Sequence, residues 1–183
     1  MMTVEKGSIL IAEPFLKDPN FSRKVVIICE NQTEGALGFI LNQKLEYSLP
    51  QLLPDVEGHE FPVFYGGPVQ VDTLHFIHNY SDLIPDATPV CDGIHWGGNI
   101  ESTLALIRNG EINPDRIRFF LGYSGWGPEQ LENEMKEHSW IVSTATADLV
   151  FKSPSDMIWK EALRALGGDY EMMINFPVDP LLN

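Results

Sequence analysis

Gly122-Tyr123-Ser124-Gly125-Trp126 places a hydroxyl between two glycines, where a strand is expected to end and a helix to begin. A nucleophilic serine needs that setting: a sharp turn lifting its Oγ clear of the sheet, a histidine to take the proton, and an acid to orient the histidine. Trp126 stands where the final glycine of a Gly-x-Ser-x-Gly elbow belongs. Asp148 follows the serine, but His138, the one later histidine, precedes that acid. The competing expectation is a tight glycine turn that aims Tyr123 and Trp126. Cys29 is the other candidate nucleophile. It lies far from Cys91 with no Cys-x-x-Cys spacing, so zinc and thioredoxin-like chemistry are unsupported. Two reduced core thiols are expected, with a single bridge left open. Ser124 and Cys29 therefore carry the enzyme reading, hydrolase-like or thiol-based.

His75 and His78 lie three apart on an expected strand, where alternation sends them to opposite faces, so no shared metal ion is expected. Gly66-Gly67-Pro68, Gly97-Gly98-Asn99 and Gly125-Trp126-Gly127 offer backbone amides, the last two at expected helix N-termini. Glu101 follows one, and Glu129 and Glu132 follow the other, which already complement the helix dipole and would repel an anion. Neither a Walker-type loop nor a dinucleotide fingerprint is present, and no cofactor is expected. Glu132 and Glu134 read as the solvated face of a helix, and Trp96, Trp126, Trp140 and Trp159 as core or interface anchors.

Twelve Lys and Arg stand against 26 Asp and Glu, a formal charge of -14. The cations come in isolated pairs such as Arg23-Lys24 and Arg116 with Arg118, so direct binding of DNA, RNA or anionic membranes is disfavoured. The first seven residues lack the pattern of a signal peptide, and no apolar stretch is long enough to span a bilayer; a cytoplasmic location is expected.

The elements that must position these groups are strands first, helices later. Buried strands are expected at Ser8–Ala12, Lys24–Cys29 and Ala36–Leu41, the last two forming a hairpin across Glu34-Gly35. A short helix is expected over Ser48–Leu53, then strands at Val63–Tyr65, Thr73–His78, Thr88–Cys91 and Ile94–Trp96. Asn99 opens a helix with Ile100, Leu104 and Ile107 on one face, closed by Gly110. Arg116–Tyr123 reads as a central strand, Pro128 as the first turn of a helix bearing Leu131 and Met135, and Trp140–Thr146 as a last strand. Ser153-Pro154-Ser155-Asp156 reads as a helix start, with Trp159, Leu163 and Leu166 as its stripe and Gly167-Gly168 as its end. The tail, Asn175-Phe176-Pro177 then Asp179-Pro180, reads as irregular and packed back on the domain. The pattern is one α+β domain with a mixed or antiparallel sheet.

Three stretches resemble one bacterial family, YqgE/AlgH: Gly7–Pro14 continuing through Asp18–Val26 to Gly35–Asn42; Gly66-Gly67-Pro68-Val69 with Leu74-His75; and Phe120–Trp126 with Gln130, Leu131, Glu132 and Glu134. The resemblance covers nearly the whole chain. It implies a compact α+β fold with a strongly coiled, partly barrel-like sheet surrounded by helices, and brings no established catalytic activity. Some members carry the label of transcriptional regulator, an effect the charge here would make indirect. The family's recurrent polar positions correspond to Asn42, His75, Tyr123, Gln130 and Glu132. Asn42 could equally tie a strand end, and His75 could be a satisfied core histidine. Asn31 and Glu129 depart from the family's usual His and Gly, and Ser124 stands where Ala is common. The leading expectation is a non-enzymatic binding or regulatory module acting through a protein or small-molecule partner, with Asn42, Gly66, Gly67, His75, Tyr123, Trp126, Gln130 and Glu132 as binding residues.

Overall fold

The computed structural model describes residues 3–179 and Leu181. Met1, Met2 and Pro180, which enter the readings of the N-terminus and tail, lie outside the described residues. Ten strands form one curled sheet: β1 (Ser8–Ala12), β2 (Val25–Gln32), β3 (Gly35–Ile40), β4 (Lys44–Ser48), β5 (Pro62–Tyr65), β6 (Val69–His78), β7 (Thr88–Cys91), β8 (Ile94–Trp96), β9 (Ile117–Trp126) and β10 (Trp140–Thr144). The order is β10-β1-β2-β3-β9-β6-β8-β7, with β4 paired to β5 and β5 to β9. All pairs are antiparallel except β5 with β9.

The continuous apolar runs become strands buried on both faces. Ile9, Ile11, Val25, Ile27, Cys29 and Phe39 point into a central cluster. Leu10, Ala12, Val26, Ile28 and Ile40 point the other way, into a second cluster under α3 (Gln130–Lys136). Further along the sheet, Val63, Phe76, Ile117 and Phe119 form a third cluster with Leu104 and Ile107 of α2 (Ile100–Arg108) and Leu49 of α1 (Leu49–Leu52). The central cluster is closed by a wide helical turn, Asp148–Lys152, and by α4 (Ile158–Leu166), whose Trp159 donates its indole N–H to the Ala12 carbonyl at 2.9 Å.

The caps behave as their residue types dictate. Asn99 Oδ1 accepts from the Ser102 amide at 2.9 Å, and Gly110 takes φ +75° just past α2. Ser48 precedes α1, with Gln51 reaching back to the Ser48 amide at 2.8 Å. Ile100, the first residue of α2, is the exception on its stripe, at 38% exposure.

Several expectations are corrected. Gly122–Trp126 is not a turn: β9 runs on to Trp126, because Ala36, Leu37 and Gly38 of β3 offer it a partner strand. α3 begins at Gln130, so Pro128 precedes it, and Glu129 at φ +63° forms the left-handed entry. α4 begins at Ile158 rather than at Ser153-Pro154: Pro154 starts only a single turn, closed by Met157 N–H on its carbonyl, and the apolar stripe starts four residues later. β4 was not expected because its residues are largely exposed and polar, held only through Lys44–Phe64 and Ser48–Pro62. After α4 come α5 (Asp169–Met172) and a 3-10 turn (Met173–Asn175), neither of which was expected; beyond Asn175 the described tail is irregular, as expected, and packs back through a Phe176–Phe15 stack.

Candidate functional site

β9 is the spine that positions the site. One of its edges pairs with β6; the other is shared, β5 holding Phe119–Leu121 and β3 holding Ser124–Trp126. After β5 the chain crosses β9 at Gly66-Gly67 to become β6. The backbones touch there. A Cβ on Gly66 would lie 2.3 Å from the Gly122 carbonyl oxygen, one on Gly67 2.2 Å from the Tyr123 carbonyl, and one on Gly122 2.4 Å from the Gly67 carbonyl oxygen. These glycines serve a chain crossing, and the Gly66 amide is not presented to an anion, because it donates to the Leu121 carbonyl.

Gly122 also adopts φ +72°. That left-handed residue breaks the alternation of β9. Phe120 points into the central cluster, so strict alternation would send Tyr123 to the opposite face. Tyr123 instead packs on the central cluster, edge-on to His75 at 6.0 Å between ring centroids. A second irregularity acts in β2. Ile28 pairs with Gly38 and Glu30 with Leu37, so Cys29 is an extra residue and Glu30 is turned onto the face of Leu37. The two breaks bring Glu30 and Tyr123 to one open groove of about 400 Å³, floored by Leu37, Val69 and Gly125 and flanked by Glu34. Gln32 Nε2 donates to one Glu30 oxygen at 2.6 Å. Among the described residues the one ion pair is Lys152–Asp148, so neither Glu30 nor Glu34 has a cation within 4.0 Å. Across the hairpin tip a second hollow shares Gly35 and Ala36 and is flanked by Glu129 and Glu132.

The other expected site residues divide. Trp126 lines the groove but is buried, and its indole donates to Glu134 Oε2 at 2.9 Å. The Trp140 indole donates to the same oxygen at 2.8 Å. Glu134 is therefore not on a solvated face; it ties α3 to two strands. Gln130 serves α3 itself: its Oε1 accepts from the Gly127 amide at 3.0 Å and its Nε2 donates to Glu134 Oε1 at 3.2 Å. Glu132 is exposed beside the second hollow. Asn42 lies away from the groove and ties a strand end, Oδ1 accepting from Val25 N–H and Nδ2 donating to the Arg23 carbonyl, both at 3.0 Å. Glu30, Glu34 and Leu37 were missed. The available signal was a carboxylate directly after the apolar run Val25–Cys29, the pattern a bulge at a strand end produces.

Neither nucleophile candidate is presented for chemistry. Ser124 is fully buried and donates to the Gly66 carbonyl at 3.1 Å. Cys29 is buried, and desolvation, with Cys91 nearby, pushes its thiol well above the ordinary value, away from the reactive thiolate. Both cysteines are free. Three arginines are spent on rings and carbonyls: Arg23 over Trp159, Arg116 over Tyr80 and Arg118 over Phe64, donating to Phe176, Asn79 and Leu41 respectively. Arg118 is buried, and desolvation lowers its pKa to about 10. No group of three metal-ligating side chains occurs among the described residues. No helix among them is long and apolar enough to cross a membrane.

His78 is buried in a fixed neutral form. Its Nδ1 accepts from the Tyr80 amide at 3.1 Å, which leaves Nε2–H to donate to the Gly97 carbonyl at 2.8 Å. His75 is half-buried among Phe39, Trp96 and Tyr123, and its Nε2 has no partner among the described residues, contrary to a satisfied core histidine. Burial lowers both pKa values below the ordinary 6.5; for His78 the hydrogen bond to the Gly97 carbonyl opposes this and His95 adds to it, the net direction being down. The unfolded chain thus takes up these protons first as the pH falls. Stability contributed by the neutral rings is complete above 6.5 and is lost as the pH drops toward the folded-state values. Urea midpoints measured from pH 8 down to pH 5 are expected to fall below about 6.5, and less steeply in His75→Phe, whose ring fills the same aromatic site without a basic nitrogen.

Comparison with known proteins bears on the whole chain. Residues 9–171 match a family described as AlgH-like. A UPF0301 protein of Chlorobium limicola is 44% identical over 177 residues, covering 97% of this chain and 95% of that protein. One from Cytophaga hutchinsonii is 41% identical, covering 97% and 98%. Two solved structures share the fold: protein DIP2367 of Corynebacterium diphtheriae, with TM-score 0.82, 19% identity and coverage of 96% and 95%, and the AlgH protein of Pseudomonas aeruginosa, with TM-score 0.74, 24% identity and coverage of 97% and 98%.

Proposed function

The chain belongs to the AlgH-like family, and from that premise we propose that it is a non-enzymatic binding module whose recognition surface is the groove between the β2–β3 hairpin tip and the end of β9. One observation carries this reading: two separate breaks in strand alternation, at Cys29-Glu30 and at Gly122, each place a polar side chain in the same hollow. Bulges cost ladder hydrogen bonds and are retained where they re-aim a side chain. The buried states of Ser124 and Cys29 support a binding role over hydrolase or thiol chemistry. A charge of -14, with these three arginines engaged internally, supports action on transcription, where it occurs, through a protein partner rather than by contact with DNA.

The test compares proteins captured from lysate by the wild-type chain, by Glu30→Gln/Tyr123→Leu, and by a variant altered on the remote β4 surface at Lys44. A partner retained by the wild type and the Lys44 variant and lost by the groove variant is expected. Identical capture by all three would remove the groove from the function.

A further inference from the structure

We propose that the groove receives an arginine side chain presented by an extended segment of a protein partner, its guanidinium lying against the Tyr123 ring between the Glu30 and Glu34 carboxylates. This rests on the groove being the binding surface and adds the chemistry of the partner. Charge complementarity is the first argument. Glu30 and Glu34 flank the hollow with no cation among the described residues within 4.0 Å, and Glu129 and Glu132 repeat the arrangement across the hairpin tip. A segment passing over Gly35 and Ala36 meets carboxylates on both sides. The shape of the floor is the second argument. The Tyr123 ring borders Gly125, where a Cβ would sit 3.4 Å from Tyr123 Cε2, so the absence of a side chain at Gly125 leaves the ring approachable. Leu37 and Val69 supply an apolar surface for the three methylenes of an arginine stem.

A flat cation between an aromatic face and two carboxylates fits guanidinium better than ammonium, because it stacks and pairs in one plane. The position of His75 agrees. It does not line the hollow and its Nε2 is buried, so it places no competing donor there; the side-chain donor that the incoming guanidinium would displace is the exposed Gln32 Nε2 on Glu30.

The experiment is an amide NMR titration of the full chain with acetyl-Gly-Arg-Gly-Arg-Gly-amide and with versions carrying citrulline or lysine in place of arginine. Citrulline keeps the shape and removes the charge. The expected result is saturable shifts centred on Leu37, Tyr123 and Gly125, weakened by 0.5 M salt as exposed ion pairs are. Glu30→Gln is expected to weaken binding by about tenfold, the loss of one charge-assisted contact. Lysine should bind less tightly and citrulline should not saturate. Equal binding of citrulline, an unchanged affinity in a folded Glu30→Gln protein, or shifts spread over the other acidic surfaces would overturn the proposal. If a lysate partner depends on the groove while the arginine peptide leaves the spectra unmoved, the binding module stands and the arginine assignment falls.

Discussion

Gly122→Ala is expected to lower the folding stability by about 3–5 kcal/mol, a large part of what a domain of this size possesses. Two costs add. At φ +72° an L-residue is strained by roughly 1–2 kcal/mol. In addition, the new Cβ would meet the Gly67 carbonyl oxygen at 2.4 Å and the Val69 carbonyl oxygen at 3.1 Å, and both are backbone atoms that cannot rotate away. Relief requires the β5–β6 crossing to lift off β9, which withdraws Gly66 from its bonds to Ile40 and Leu121. Gly110→Ala is the control. Its φ is +75°, but nothing lies within 4 Å of the added carbon, so a loss of about 1 kcal/mol from backbone strain alone is expected. Urea unfolding of the two variants separates collision from strain. Equal losses in both would show that the crossing tolerates displacement, and with it that Tyr123 is not held in the groove by Gly122.

The positions where sequence reasoning succeeded and failed follow from what periodicity encodes. β1 was legible to the residue because both its faces are buried, so Ser8-Ile9-Leu10-Ile11-Ala12 needs no alternation and no partner to be read. The stripe of α4 was legible at Trp159 and Leu163, and its Gly167 end as well, while its start was not, since a Ser-Pro pair can open either a helix or a lone turn. Gly122–Trp126 was misread as a turn because a strand and a nucleophile elbow both accept a Gly-x-Ser-Gly run. Only the pairing of β3 with the end of β9 decides between them, and that contact joins residues about ninety apart in sequence. The groove was half legible. Tyr123 and Trp126 were singled out for their types, but Glu30 was not, because its direction depends on a register shift between β2 and β3 that no single strand's composition records.

Glu134 is the second position where one side chain carries a large effect, and it shows how a polar group that looks solvated can organise a core. Its Oε2 accepts from the indoles of Trp126 and Trp140, both about 4% exposed, and its Oε1 accepts from Gln130. The two rings lie 6.4 Å apart and nearly perpendicular, with Phe21 packed against both. Glu134→Ala would leave two indole N–H groups in an apolar cluster without an acceptor, at about 1–3 kcal/mol each. A total loss of about 3–5 kcal/mol is expected if α3 stays in place. Glu134→Gln keeps one oxygen that can accept both indoles, so a loss of about 1–2 kcal/mol is expected, from exchanging a charged acceptor for a neutral one. The alternative to paying the full cost is local release of α3, which is tied down otherwise by Leu131 and partly by Met135. Indole N–H shifts together with amide exchange across Gln130–Lys136 distinguish these outcomes. In Glu134→Ala both indole signals are expected to move upfield and the α3 amides to exchange faster than those of β1, while Glu134→Gln retains wild-type protection. An alanine variant with unmoved indole signals and unchanged urea midpoint would mean that the carboxylate bridge contributes nothing, and that Trp126 and Trp140 are held by packing alone.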